Sequence, residues 1–294
     1  MSNALKELSA SLREAIKRGA AFTVAIDRDP YPVSGVLIGG DKVLTASHVV
    51  ADTGADVIMP DGKSVAASLV GRDPIHDLAL LKVSGGTAAK PPVGSAAVGD
   101  IVVALKRDTY DGINAALGMV SAAGEKLRLG ASTVLQRYFQ IDADRLIGTT
   151  GGPVVDAEGA LVGIQVLNRR MGAEVAIPAA LALERATLIE KTGGVRRPYL
   201  GIRSQVVPLP REARDALGGE RETGLLLVTV EAGKAAERAG LMVGDILVDL
   251  GGAAITDHAS LVAVLAEKGA GATVEARVAR GGSLRTVSLT VGEA

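Results

Sequence analysis

The stretch IGTTGGPVVDAEGALVGI, residues 147–164, decides how the rest of the chain is read. Gly148, Gly151 and Gly152 surround a threonine pair, Pro153 stiffens the exit, and two apolar runs follow around a DAEG turn. Glycines at such a bend permit backbone conformations that expose one residue and turn its N–H outward. An ordinary glycine-rich hairpin loop has the same composition, so its neighbours must discriminate. Around it lie short Val/Ile/Leu-rich runs, among them AFTVAI, SGVLIG, ADVIMP, DIVVAL and GALVGIQVL, punctuated by Gly, Asp and Pro. This spacing persists over about 170 residues with no strand–helix alternation, which predicts an all-β barrel or sandwich.

The two ends read differently. At the N-terminus, Leu5, Leu8, Leu12 and Ile16 recur among charges at helical spacing, predicting an amphipathic helix over 1–20 that Gly19 ends with a left-handed cap. A signal peptide would need an unbroken apolar run, so the expected location is the cytoplasm, or the periplasm or extracellular space if a leader has been removed. Near the other end, EKTGGVRRP (190–198) reads as an exposed connection, giving a first domain over 21–190, a linker over 191–197 and a second domain over 198–294. In that second domain GLLLVTV and DILVDL read as strands, AAERAGL as a short helix closed by Gly240, and HASLVAVLAEKG as a longer helix: an α+β module.

Composition narrows the function classes. The 294 residues, 48% of them hydrophobic, suffice for about two cored domains. A net charge of −1, from 32 basic and 33 acidic residues, supplies no global field for nucleic acid or an anionic membrane. The absence of cysteine excludes disulfides and thiol catalysis, and the only histidines are His48, His76 and His258, which argues against a metal centre. No cofactor is implied. No segment offers the ~18 uncharged apolar residues of a membrane span.

Two further motifs give the glycine-rich turn its context. LTASHVV (44–50) places His48 at the end of an apolar run, and DPIHDLALLKV (73–83) places Asp77 directly before one, with Asp73 a competing carboxylate. Each alone is compatible with a structural histidine or a turn-forming aspartate. A histidine, an aspartate about 30 residues later and a glycine-rich turn about 70 beyond that follow the chain order of the chymotrypsin-type triad.

These motifs resemble those of HtrA/Deg-type serine proteases. LTASHVV is similar to their histidine motif, DLALLKV to their aspartate motif, and GTTGGPVVDAEGALVGI to their nucleophile loop and the strands after it; Ser34-Gly35, QIDAD and VAIP at 175–178 match as well. The resemblance covers about residues 20–294 and implies a mainly β chain, with a chymotrypsin-like double β-barrel followed by an α+β PDZ domain. It implies His48 as general base, Asp77 as its orienting carboxylate, and the Gly148 and Thr150 amides as the oxyanion hole. RRPYLGI (196–202) resembles a PDZ carboxylate-binding loop. Tyr199, Leu200, Gly201 and Ile202 would then receive a peptide C-terminus by strand addition, and Leu261 and Leu265 would line its side-chain pocket. His258 and His76 are expected to be solvated surface residues. The implied partners are unfolded polypeptides or protein C-termini, and the implied assembly is a homo-oligomer, a trimer by resemblance.

The departure from the family lies at the nucleophile, where Thr150 stands in place of serine. Its β-methyl restricts χ1 in a crowded elbow, so activity is expected to be weak or lost. Thr150 is read as a slow nucleophile, as an evolved loss in a peptide-binding pseudoprotease, or as a substitution introduced to trap substrate. Asp144, six residues before Thr150, occupies the position of a trypsin-like specificity acid, unless Arg145 or solvent occupies it.

Overall fold

Runs bounded by Gly, Asp and Pro become strands because β-branched side chains fit a pleated, half-buried surface. The computed structural model describes residues 2–28, 31–85, 88–109, 112–128, 134–143, 148–167, 174–195, 198–219 and 221–293. They divide into two units, Met1–Val195 and Arg196–Ala294.

In the first unit, β1 (Thr23–Ile26), β2 (Val33–Gly39), β3 (Lys42–Ala46), β4 (Ala55–Ile58), β5 (Ser64–Asp73) and β6 (Leu78–Val83) close an antiparallel barrel. A second closed barrel follows, built from β7 (Ile101–Asp108), β8 (Gly112–Arg128), β9 (Val134–Ala143), β10 (Pro153–Val155), β11 (Leu161–Leu167) and β12 (Glu174–Pro178). Closure removes the sheet edges that would invite pairing with other chains. Alternation along the strands feeds two cores. Val102, Val154 and Val162 pack with Phe139 and Ile141 in one cluster. Their neighbours Val103, Val155 and Leu161 join a larger cluster with Val36, Val43 and Leu44 of the first barrel.

Two helices complete this unit. Helix α1 (Ser2–Ala20) runs through Gly19 instead of ending on it. A Cβ there would press on Leu105 and Val155, so the residue expected as a left-handed cap is instead a point of close packing. Helix α2 (Ala179–Thr192), which the strand-dominated reading of 21–190 does not anticipate, buries Leu181, Ala182, Ala186 and Ile189 and ends at Gly193, φ 72°. Its sequence, AALALERATLIEKT, is rich in helix formers, and only its position behind a strand hides it.

The second unit holds β13 (Pro198–Tyr199), β14 (Ile202–Pro208), α3 (Arg211–Ala216), β15 (Thr223–Val230), α4 (Ala235–Arg238), β16 (Ile246–Leu250), β17 (Ala253–Ala254), α5 (His258–Lys268), β18 (Thr273–Arg280), β19 (Ser283–Thr290) and β20 (Gly292–Glu293). Its main sheet runs β14-β15-β16-β18-β19, leaving β14 at an edge, and β13 pairs with β20. Asp257 starts α5 with a capping box, its carboxylate accepting from Ser260 N. Leu225, Leu247, Val278 and Leu289 are fully buried at the centre. The architecture is mainly β, a double barrel followed by an α+β domain, as the sequence implied. Among the described residues no helix is long and apolar enough to cross a membrane.

Candidate active site

Strand β3 delivers His48 into a single 3-10 turn, Ser47–Val49. The hairpin between β5 and β6 delivers Asp77, which adopts φ 54°, a left-handed conformation that aspartate tolerates better than most residues. Two bonds join them, and a third ties in the residue before His48. Asp77 Oδ2 lies 2.6 Å from His48 Nδ1, Asp77 Oδ1 accepts from His48 N at 3.0 Å, and Asp77 O accepts from Ser47 N at 2.8 Å. The carboxylate thus fixes both the ring and the backbone of the histidine. With Nδ1–H directed at Asp77, the other ring nitrogen is left as a proton acceptor.

The glycine-rich turn reaches the same place from the second barrel. Ser34 N of β2 donates to Thr150 O at 3.1 Å, Ser34 Oγ donates to Gly148 O at 2.9 Å, and Thr45 Oγ1 of β3 donates to Ser34 O at 2.8 Å. Within the turn, Gly152 N donates to Thr149 O at 2.7 Å and Gly151 N to Gln165 O at 2.9 Å. The C=O and N–H of a trans peptide point in opposite directions, so the pinned Thr149 carbonyl aims the Thr150 amide out of the turn. Among the described residues neither the Gly148 nor the Thr150 amide meets an acceptor. Gly148 has φ 91° and Gly151 φ 81°; a Cβ on Gly151 would lie 3.0 Å from Ala46 N and closer still to Thr45 Oγ1 and Ser34 O. The Thr150 turn is therefore wedged against the strand end two residues before His48, although the two motifs lie about 100 residues apart.

Asp73, the competing carboxylate, is fully buried and serves other partners. Its Oδ2 accepts from Arg185 Nε at 2.6 Å and lies 2.9 Å from His76 Nδ1, while its Oδ1 accepts from Ile75 N and His76 N. Burial pushes the Asp73 carboxyl up, but His76 and Arg185 together outweigh it and hold its pKa below the ordinary value. His76, expected at the surface, is buried; the hydrogen bond to Asp73 draws it inward. Neither Arg185 nor Ser34 announced these contacts in the sequence, because both act across more than 100 residues. Asp144 lies outside the described residues.

In the second unit, Gly201 adopts φ 77°, and the amides of Leu200 and Gly201 meet no acceptor among the described residues. Leu200 O and Gly201 O accept from Ala236 N and Glu231 N, so the loop's carbonyls are tied back. Ile202 begins edge strand β14. The Tyr199 phenol donates to Glu231 Oε1 at 2.6 Å, which raises its pKa. Leu261 and Leu265 are buried on the face of α5 that packs in one cluster with Leu200 and Ile202. His258, expected to be free in solvent, is exposed but bonded: its Nε2 lies 2.9 Å from Ser204 O on β14. Among the described residues no cluster of His, Asp and Glu could hold a metal ion.

Comparison with known proteins agrees with this geometry. Residues 33–164 match the trypsin-like peptidase domain family and residues 198–291 the PDZ domain family. A probable periplasmic serine endoprotease, DegP-like, from Rhizobium meliloti (strain 1021) is 34% identical over 270 residues, covering 88% of this chain and 53% of that protein. The namesake from Ectopseudomonas mendocina (strain ymp) is 32% identical over 269 residues, covering 88% and 56%. The chain thus spans about half the length of the curated relatives it matches. Among solved structures, the serine endoprotease from Yersinia pestis superposes with a TM-score of 0.73 at 28% identity, over 96% of this chain and 97% of that one. The HtrA-type protease AlgW with decapeptide gives 0.72 at 26% identity, over 96% and 98%. The chain is a homologue of the HtrA/DegP serine endoproteases, pairing a trypsin-like peptidase domain with a PDZ domain that follows it.

Proposed function

We propose that the first unit is an HtrA-type serine-protease site that acts on unfolded or damaged polypeptide, and that Thr150 in the serine's place makes it slow or silent. The observation that carries this reading is the His48–Asp77 couple, with Nδ1 and Oδ2 2.6 Å apart, beside a turn whose Gly148 and Thr150 amides meet no acceptor among the described residues. In the reaction, Thr150 Oγ1 attacks the scissile carbonyl and its proton passes to His48. Asp77 stabilises the imidazolium so formed. The Gly148 and Thr150 amides receive the negative charge that develops on the carbonyl oxygen, and His48 returns the proton to the leaving amine. Water then releases the acyl group by the same route. The second unit would hold a peptide C-terminus, its carboxylate on the amides of Leu200, Gly201 and Ile202 and its strand added to β14. The solved relative carrying a decapeptide supports peptide as the ligand class.

A second reading rests on Thr150 itself. Four backbone hydrogen bonds among the described residues hold its turn, so the backbone has little freedom to make room for a β-methyl. The site would then bind chains without cutting them. Casein turnover by the native chain, Thr150→Ser and His48→Ala separates the two. Cutting by the native chain that disappears in His48→Ala supports the enzyme; cutting by the serine variant alone makes the native protein a binder; silence of all three ends the protease reading. Names of relatives favour the periplasm over the cytoplasmic location that the N-terminal helix suggested. A trimer remains the proposed assembly, with solution mass as its check.

A further inference from the structure

The last two residues of β5, Arg72 and Asp73, touch neither Thr150 nor the amides beside it, yet each grips one half of the His48–Asp77 couple. Successive side chains on a strand point to opposite faces, so one dipeptide can serve two loops. Arg72 donates from Nη1 to Ser47 O at 2.5 Å and from Nη2 to Val50 O at 2.7 Å, spanning the 3-10 turn that carries His48; Asp52 Oδ1 faces Nη2 at 2.8 Å. Asp73 closes the hairpin that carries Asp77, its Oδ1 taking the amides of Ile75 at 3.0 Å and His76 at 3.3 Å. Asp77, the last residue of this reversal, sits at φ 54°, where an L-residue loses about 1–2 kcal/mol and must be held by its surroundings.

Three details show that the hold is built for a carboxylate. Asp73 Oδ2 takes two donors, Arg185 Nε and His76 Nδ1, where a neutral amide would offer its nitrogen to one pair of partners. His76 Nε2 is buried with no partner among the described residues, so the ring tolerates an unsatisfied atom in order to keep its bond to Asp73. Helix α2 supplies Arg185, and just past its end Val195 N donates to Arg72 O at 2.7 Å, anchoring the dipeptide by side chain and by backbone.

We propose that Arg72 and Asp73, braced by Arg185, are positioning residues that hold His48 and Asp77 in register. The inference rests on reading that couple as the catalytic base and its orienter. In the absence of Asp73's charge, the 74–77 reversal relaxes, Asp77 leaves the left-handed region, and its two oxygens no longer straddle the His48 ring and amide.

The test uses the full chain with isotope-labelled histidine, since only three residues then report. In the native protein the His48 Nδ1 proton should resonate at low field, and Asp77→Asn should abolish it. Asp73→Asn and Arg185→Gln should weaken or abolish that resonance. In a Thr150→Ser background, the same variants should lose about 10- to 100-fold in kcat with KM changed less than twofold, and the acid limb of the pH profile should move. Arg185→Gln carries the test should Asp73→Asn not fold. A resonance and pH profile unchanged in a folded variant, while still sensitive to Asp77→Asn, overturn this inference alone. A native His48 that is indifferent to Asp77→Asn overturns the catalytic reading and this inference together.

Discussion

Gly151→Ala is the sharpest probe of how the two barrels meet. At φ 81° an alanine pays about 1–2 kcal/mol of backbone strain. Its Cβ would also fall well inside 3.0 Å of Thr45 Oγ1 and Ser34 O. One of these is backbone and the other is hydrogen-bonded to it, so neither can swing away cheaply. Overpacking of this kind costs about 1–3 kcal/mol more, for a total of about 2–5 kcal/mol. In a unit of this size each kcal/mol moves the midpoint by about 2–4 °C, so thermal unfolding of the full chain should show the first unit's transition lowered by roughly 5–20 °C. Relief of the clash requires the Thr150 turn to withdraw by about 1 Å, which should cost on the order of 100-fold in turnover in a Thr150→Ser background. Gly62→Ala is the control: Gly62 has φ 85° but nothing within 4 Å of the added methyl, so that variant bears the backbone strain alone. Equal melting of the two variants, with full turnover in Gly151→Ala, would refute the wedge.

Acid should weaken the first unit through Asp73. Because its folded pKa lies below the ordinary 3.8, its contribution is complete above that value and is lost as pH falls through the lower folded one. Stability measured by denaturant titration should therefore drop as pH descends below about 4, and less steeply in Asp73→Asn; parallel curves would contradict this. In the second unit, Leu247→Ala empties a fully buried site at the centre of the sheet and should cost about 2–5 kcal/mol. Calorimetry should show the second unit's transition moving down while that of residues 1–195 stays in place; a joint shift of both would mean that the units do not unfold separately.

What the sequence disclosed follows from how local each signal is. Strands could be read because Val/Ile/Leu runs and Gly/Asp/Pro punctuation act within a few residues, and the ordered histidine, aspartate and glycine-rich motifs pointed to positions that the fold does bring to one end of two barrels. Helix α2 escaped because its pattern sits directly behind VAIP, where a strand rhythm was already established. Gly19 was misread because a glycine near a helix end reads as a cap, and only the packing against Leu105 and Val155 shows its other use. His76 looked exposed beside a polar turn, whereas the partner that draws it inward, Asp73, is itself fixed by Arg185 from another element. Ser34 carried a family signal without a reason; its bonds to Gly148 and Thr150 supply one.

The alternation of β10 between two cores limits how this site can change. Val154 fills the interior of the second barrel while Val155 joins the larger cluster, beside Gly19 of α1, and the Thr150 turn begins immediately upstream. Inserting or deleting one residue there would swap which valine meets which cluster and rotate the turn away from Ser34. Exchange of a hydroxyl-bearing residue at position 150 asks for nothing of the kind. The scaffold therefore accepts new chemistry by replacement and resists it by changes of length.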